Sequence, residues 1–355
     1  MRLLRYLFVP VLLILTSCMA SRMTWYNYTD ITNYKIFPSR ALPASTTPFH
    51  FANAQRQPGQ ILGQVSLQKI DSIARIDKSV AILIIRNDSL LFENYYLDYN
   101  AASQVSSFSM AKAYTSALIG IAIEDNYIKN INDRLITYVP ELAHNRGFEK
   151  VTLRHLLMMT SAIKAKTSIG VLDARLYYGR HLYNYLMRLK VEGEPGKEFV
   201  YSNVNTQLLG LVLERVTGKT VTEYLNARIW KALGTEFDAS WSIDKKKDGH
   251  EKTFCCINAT ARDYAKFGRL FLNRGNWNGT QLVPAAWVDE STGSASESVS
   301  YYKYQWWITE NGYYASGLHG EYIYVSPAKG LVMIRLGKAE TRSWPRIFDQ
   351  ISALM

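Results

Sequence analysis

The stretch Phe108 to Asp125, FSMAKAYTSALIGIAIED, decides how the rest of the chain is read. Ser109 and Lys112 stand three residues apart at the opening of an apolar helical run, so both side chains share one face of its first turn. A hydroxyl nucleophile beside an amine that can take its proton is the minimum of a serine acyl-transfer site. The start of a helix also presents unpaired N–H groups and positive dipole, which help hold an oxyanion and favour a neutral lysine. Ser-x-x-Lys occurs six times in the chain, beginning at Ser66, Ser109, Ser161, Ser242, Ser300 and Ser326. Setting distinguishes Ser109: a turn-like stretch, Asn100 to Ser107, precedes it and a long Ala/Leu/Ile helix follows. The plain alternative is a helix-capping serine followed by a solvated lysine.

Upstream, Val80 to Ile85 and Leu90 to Tyr96 read as strands around an Asn87-Asp88-Ser89 turn, an antiparallel hairpin. A helix is expected from near Val65 through Ala74. Downstream, about 131 to 295 reads as mostly helical. Thr152 is expected to cap a helix at Leu153, Gly218 to close one over Thr206 to Val216, and Thr260 with Asp263 to open Ala261 to Leu272. Strands return at Tyr304 to Thr309, Tyr313 to Ser316, Glu321 to Val325 and Leu331 to Leu336, before a last helix from about Trp344. A hairpin alone is marginal, so the early and late strands must share a sheet. The fold class is therefore α/β (α+β): an antiparallel sheet flanked by helices and built from both chain ends (61–130 plus 296–355), with an all-helical domain (131–295) inserted.

Composition bounds the function. The 355 residues, 48% hydrophobic and 20% charged, describe a globular chain with a large core. The net charge of +11 is spread out, Lys245 to Lys247 being its one short run. That argues against nucleic-acid binding and suits attraction to an anionic membrane or acidic wall polymer. No His-x-His or His-Glu-x-x-His pairing supports a metal site, and no phosphate loop or dinucleotide fingerprint calls for a cofactor. A Gly-x-Ser-x-Gly elbow is also missing.

Arg2 and Arg5 precede the apolar run Tyr6 to Leu15, the length of a signal-peptide core and too short for a free spanning helix. It ends in Leu15-Thr16-Ser17-Cys18, which resembles a bacterial lipobox and implies cleavage after residue 17 and lipidation of Cys18. The expected location is the bacterial cell envelope, lipid-anchored and facing periplasm or exterior. Residues 18–60 read as a tether or arm. Cys255 and Cys256 are adjacent, and such neighbours bridge only with strain, so they read as unpaired buried residues.

Tyr201-Ser202-Asn203 is a second candidate, in a loop before a helix. Its phenol could relay a proton near Lys112 if cationic surroundings lowered its pKa. The alternative is a tyrosine that packs a loop onto the core.

Ser109-Met110-Ala111-Lys112, then Tyr201-Ser202-Asn203, then Tyr314-Ala315-Ser316-Gly317 resembles the serine β-lactamase and penicillin-binding-protein superfamily in its class C-like branch, over roughly 65 to 355. Supporting stretches are Tyr138 to Leu142, Val151 to Ala162, Gln207 to Lys219 and Gly275 to Val288. The resemblance implies Ser109 as acylated nucleophile, Lys112 as base and Tyr201 as proton-transfer partner. It further implies Asn203 orienting substrate or Lys112, and the N–H groups of Ser109 and Leu318 as oxyanion hole. Where β-lactamases carry Lys-Thr-Gly, this chain has Ala315-Ser316-Gly317; an alternative register puts Gly312-Tyr313-Tyr314 there. Neither supplies a lysine to meet a substrate carboxylate, and Gly317-Leu318-His319-Gly320 is more similar to the 6-aminohexanoate-dimer hydrolases. His319 reads equally as a substrate contact or as a structural histidine. The implied activity is hydrolysis of a small amide or ester through an acyl-enzyme. The alternatives are a cell-wall D-amino-acid peptidase or weak β-lactamase on the same site, or a non-catalytic binding or sensing lipoprotein.

Overall fold

The computed structural model describes residues 29–54, 61–62, 65–164, 174–293 and 299–355. Cys18 and the signal-like segment lie outside them. Among the described residues no helix is long and apolar enough to cross a membrane.

An eight-stranded sheet forms the frame. Its strands are β1 (Ala52–Asn53), β2 (Ser79–Arg86), β3 (Ser89–Tyr95), β4 (Tyr302–Lys303), β5 (Trp306–Ile308), β6 (Tyr313–Ser316), β7 (Tyr322–Ser326) and β8 (Leu331–Gly337). Their spatial order is β4-β5-β6-β7-β8-β2-β3-β1. Every pair is antiparallel except β1 with β3. The β2–β3 hairpin turns at Asn87 and Asp88, both at positive φ (47° and 62°), the backbone that a tight two-residue hairpin requires. The two chain ends meet where β8 lies along β2, Leu331 opposite Arg86 and Leu336 opposite Ala81.

Alternation along these strands feeds two cores. Ile82, Ile84, Tyr324 and Met333 face helices α1 (Leu67–Ile76) and α5 (Trp344–Leu354). Leu83, Ile85, Ile323, Val325 and Val332 face the opposite side, against α2 (Ala111–Glu124) and α4 (Ala261–Leu272). On α4, Gly268 lets the helix touch the sheet, since a Cβ there would stand 2.7 Å from Val332 Cγ1. Helix α2 is buried from Ala111 to Ala122, as befits a sequence apolar on every side. Helix α3 (Asn203–Thr217) packs on α2 and ends at Gly218 with φ 65°.

The structure departs from the expectation in four places. The insert is not all-helical: Ala239–Ser242 and Ile257–Ala259 join Ser39–Leu42 and Val105–Ser106 in a four-stranded sheet. Runs of two to four residues are too short to display a strand's two-residue period. Helix α4 belongs with the large sheet, and part of the 18–60 arm is woven into both sheets. Tyr304 to Thr309 is interrupted, because Tyr304 and Gln305 turn at positive φ between β4 and β5. Finally, Cys255 and Cys256 are joined in a disulfide, with Cys256 in the left-handed region (φ 73°).

Candidate active site

The nucleophile turn follows an edge strand of the four-stranded sheet and packs beside β6 of the large one. Val105–Ser106 pairs with Ile257–Ala259, and the Ser107 N–H donates to the Ile257 carbonyl at 2.7 Å. Phe108 then takes φ 41°, unusual for a bulky residue, and Phe108–Met110 forms a single 3₁₀ turn ahead of α2. The helix proper thus begins at Ala111, two residues beyond the expected start. This turn leaves Ser109 partly exposed while Lys112, one turn on, is 1% exposed.

Lys112 Nζ donates to Ser109 Oγ at 2.8 Å, to Asn203 Oδ1 at 2.8 Å and to the Phe254 carbonyl at 2.9 Å. No carboxylate pairs with it among the described residues. Burial therefore pulls the amine well below the ordinary lysine range. The three acceptors favour the ammonium and burial the free amine; with no counter-ion in reach, burial dominates.

Tyr201 reaches the site from the residue before the Ser202 cap of α3, whose first residue is Asn203. Its loop is tied down by the Val200 N–H donating to the Met159 carbonyl at 2.8 Å. Lys112 Nζ sits 4.9 Å from the Tyr201 ring centre. The phenol is pushed up to about 12 by burial, against a hydrogen bond with Ser109 acting the other way. The lowered phenol pKa that a phenolate relay needs is thus replaced by its opposite: Tyr201 is a neutral hydroxyl, able to pass a proton but not to stand as an anion.

A cavity of about 230 Å³ opens on these groups. It is lined by Ser109, Tyr201 and Asn203, by the Ser316–Leu318 end of β6, and by Phe108, Tyr177, Phe254, Cys255 and Trp307. No arginine or lysine is among them. Gly312 lies at the other end of β6, against the Val325 carbonyl, so Ala315-Ser316-Gly317 is the register that meets the nucleophile. His319 does not line the cavity. Its ring stands edge-on to Phe108 at 4.9 Å and its Nε2 is 3.2 Å from Thr29 Oγ1. The Phe254 carbonyl, Cys255 and the aromatic walls escaped the sequence: a backbone acceptor has no side-chain signature, and scattered aromatics read as core. Larger clefts of about 700 and 880 Å³ are bordered by residues within 144–164 and 175–193, and neither is lined by a serine or cysteine among the described residues. No group of three or more metal-ligating side chains converges among the described residues.

The Beta-lactamase family model matches residues 73–351. A 6-aminohexanoate-dimer hydrolase of Paenarthrobacter ureafaciens is 28% identical over 296 residues, 74% of each chain. A solved structure from Bacillus anthracis, assigned as a 6-aminohexanoate-dimer hydrolase, superposes with TM-score 0.81 at 24% identity, over 92% of this chain and 94% of its own. A class C beta-lactamase superposes with TM-score 0.61 at 16% identity, over 80% and 93%.

Proposed function

This chain belongs to the Beta-lactamase family of serine hydrolases, and we propose that it cleaves a small amide or ester through an acyl-enzyme on Ser109. The observation that carries this reading is the 2.8 Å contact between a counter-ion-free, buried Lys112 and the Ser109 hydroxyl. Neutral Lys112 takes the Ser109 proton as Oγ bonds to the substrate carbonyl carbon. The resulting oxyanion is held by the Ser109 and Leu318 N–H groups. Collapse breaks the bond to the leaving amine or alcohol, which receives the proton through the neutral Tyr201 hydroxyl. Water, activated by the same amine, then adds to the acyl-serine and releases the acid.

Asn203 aligns Lys112 throughout. The cavity supports an uncharged acyl group, since its walls are aromatic and no arginine or lysine lines it. The 6-aminohexanoate dimer named for the Paenarthrobacter relative, whose acyl half ends in an ammonium, is the charged linear amide to set beside uncharged ones. The protein works at the bacterial cell envelope, anchored through a lipidated Cys18. Turnover of a p-nitrophenyl ester by the lipid-free protein, abolished in Ser109→Ala and Lys112→Ala with the fold intact, tests the reading. Near wild-type turnover in either variant overturns it.

A further inference from the structure

The hairpin between β6 and β7 carries a buried carboxyl that the chemistry above does not use. Glu321 is fully buried, and its Oε2 accepts the His319 N–H at 3.0 Å while its backbone carbonyl accepts the Gly317 N–H at 2.7 Å. Its other oxygen, Oε1, has no partner among the described residues. The amide between those two fixed points belongs to Leu318, and its N–H has no acceptor among the described residues. Gly317 permits the arrangement: a Cβ there would fall 2.2 Å from Glu321 Oε2 and 2.8 Å from the Ser107 carbonyl. Glu321 is therefore wedged beneath the point where this hairpin meets the turn that carries the nucleophile.

The far side of the hairpin is held as firmly. Arg335, fully buried on β8, donates to the carbonyls of Gly320 and His319, to Asp77 and Ala339 carbonyls and to Ser79 Oγ. Gly320 sits at φ 83° with no room for a side chain against that guanidinium. Residues 317–321 are thus clamped between a carboxyl and a guanidinium, and neither accepts the Leu318 N–H.

We propose that Glu321 is a positioning residue: its carboxyl, by holding the His319 N–H while its backbone carbonyl holds that of Gly317, sets the Leu318 N–H where the oxyanion formed at Ser109 will lie. The inference rests on Ser109 as nucleophile and adds to that reading the group that places its second oxyanion donor. Arg335 fixes the turn from outside, and Glu321 fixes it from the side of the nucleophile.

The test compares Glu321→Ala, Glu321→Asp and Glu321→Gln, measuring kcat and KM on a p-nitrophenyl ester and the Kd of phenylboronic acid, whose anionic tetrahedral serine adduct sets a boronate oxygen in the same place. Removing an oxyanion donor outright costs about 10²- to 10³-fold in kcat, so a misplaced donor is expected to cost about 10- to 100-fold. Alanine, and aspartate with its shorter reach, should lose that factor in both kcat and boronate affinity with KM within about threefold. Glutamine, which keeps the acceptor for the His319 N–H, should restore both to within about threefold of wild type. Should alanine fail to fold, the aspartate and glutamine pair carries the comparison alone. Wild-type kcat and boronate affinity in the folded aspartate or alanine variant would overturn the proposal, as would a glutamine variant as impaired as the others. Ser109→Ala, run alongside, separates the two claims. Turnover there overturns the nucleophile assignment, while an inactive Ser109→Ala beside a fully active Glu321→Asp overturns the positioning role alone.

Discussion

Exchanging Asn203 for aspartate changes one atom in the shell of Lys112 and turns its 2.8 Å neutral acceptor into an anion. A hydrogen bond between two charged groups contributes about 1.5–3 kcal/mol. At about 1.36 kcal/mol per pKa unit, the ammonium is favoured by about one to two units. Each unit lowers the neutral fraction tenfold wherever pH lies below the pKa, so the acidic limb of kcat/KM should move up by about one to two pH units in Asn203→Asp, with kcat/KM on that limb about 10- to 100-fold below wild type. Activity should return in alkaline solution, because the charge affects the protonation of the base and leaves the nucleophile in place. Asn203→Ala, which removes an acceptor that favours the ammonium, should move the acidic limb the other way. The assay is kcat/KM for p-nitrophenyl butyrate across the pH range, with each preparation normalised by active-site titration. An Asn203→Asp limb that stays put or moves to lower pH would refute Lys112 as the titrating base.

Three further outcomes are expected. With no arginine or lysine lining the cavity, the charge-assisted bond to a substrate carboxylate is missing, and uncharged linear amides or short esters should exceed penicillins in kcat/KM by about tenfold to a hundredfold; a direct competition assay with the reverse ranking would refute this. Cys18→Ala should move the protein from the membrane to the soluble envelope or extracellular fraction, as cell fractionation would show; retention after clean signal cleavage would count against the anchor. Burial pushes the Glu321 carboxyl up to about 8, so the fold favours its protonated form. That contribution is whole below the ordinary carboxyl range and is lost as pH rises through about 8, by at most about 5 kcal/mol for a shift of about 3.5 units. Denaturant unfolding of wild type and Glu321→Gln should therefore diverge with rising pH, the wild type weakening more; parallel curves would remove Glu321 as the cause.

Features with a local period were legible in the sequence. The β2–β3 hairpin, the caps at Thr152 and Thr260, the Gly218 stop and the all-apolar α2 follow from neighbouring residues alone. The joining of both chain ends followed from the instability of a lone hairpin. What stayed hidden depends on distant partners. Ser39–Leu42 is a strand only because Ala239–Ser242 lies beside it, and the Phe254 carbonyl serves Lys112 only because the 253–257 turn folds against α2. For Tyr201 the sequence reading made a relay conditional on a lowered phenol pKa, and burial, against a hydrogen bond with Ser109, pushes it up instead. Glu321 reads from the sequence as the first residue of a strand; its place under Gly317 depends on a loop glycine that leaves room for its carboxyl.

Intact-protein mass spectrometry after rapid quench with a slowly hydrolysed ester, followed by peptide mapping, is the most direct test of the site. One acyl group per chain should be found on the peptide that contains Ser109. It should be absent in Ser109→Ala and strongly slowed in Lys112→Ala. An adduct on another residue, or full labelling of Ser109→Ala, would contradict the assignment of the nucleophile.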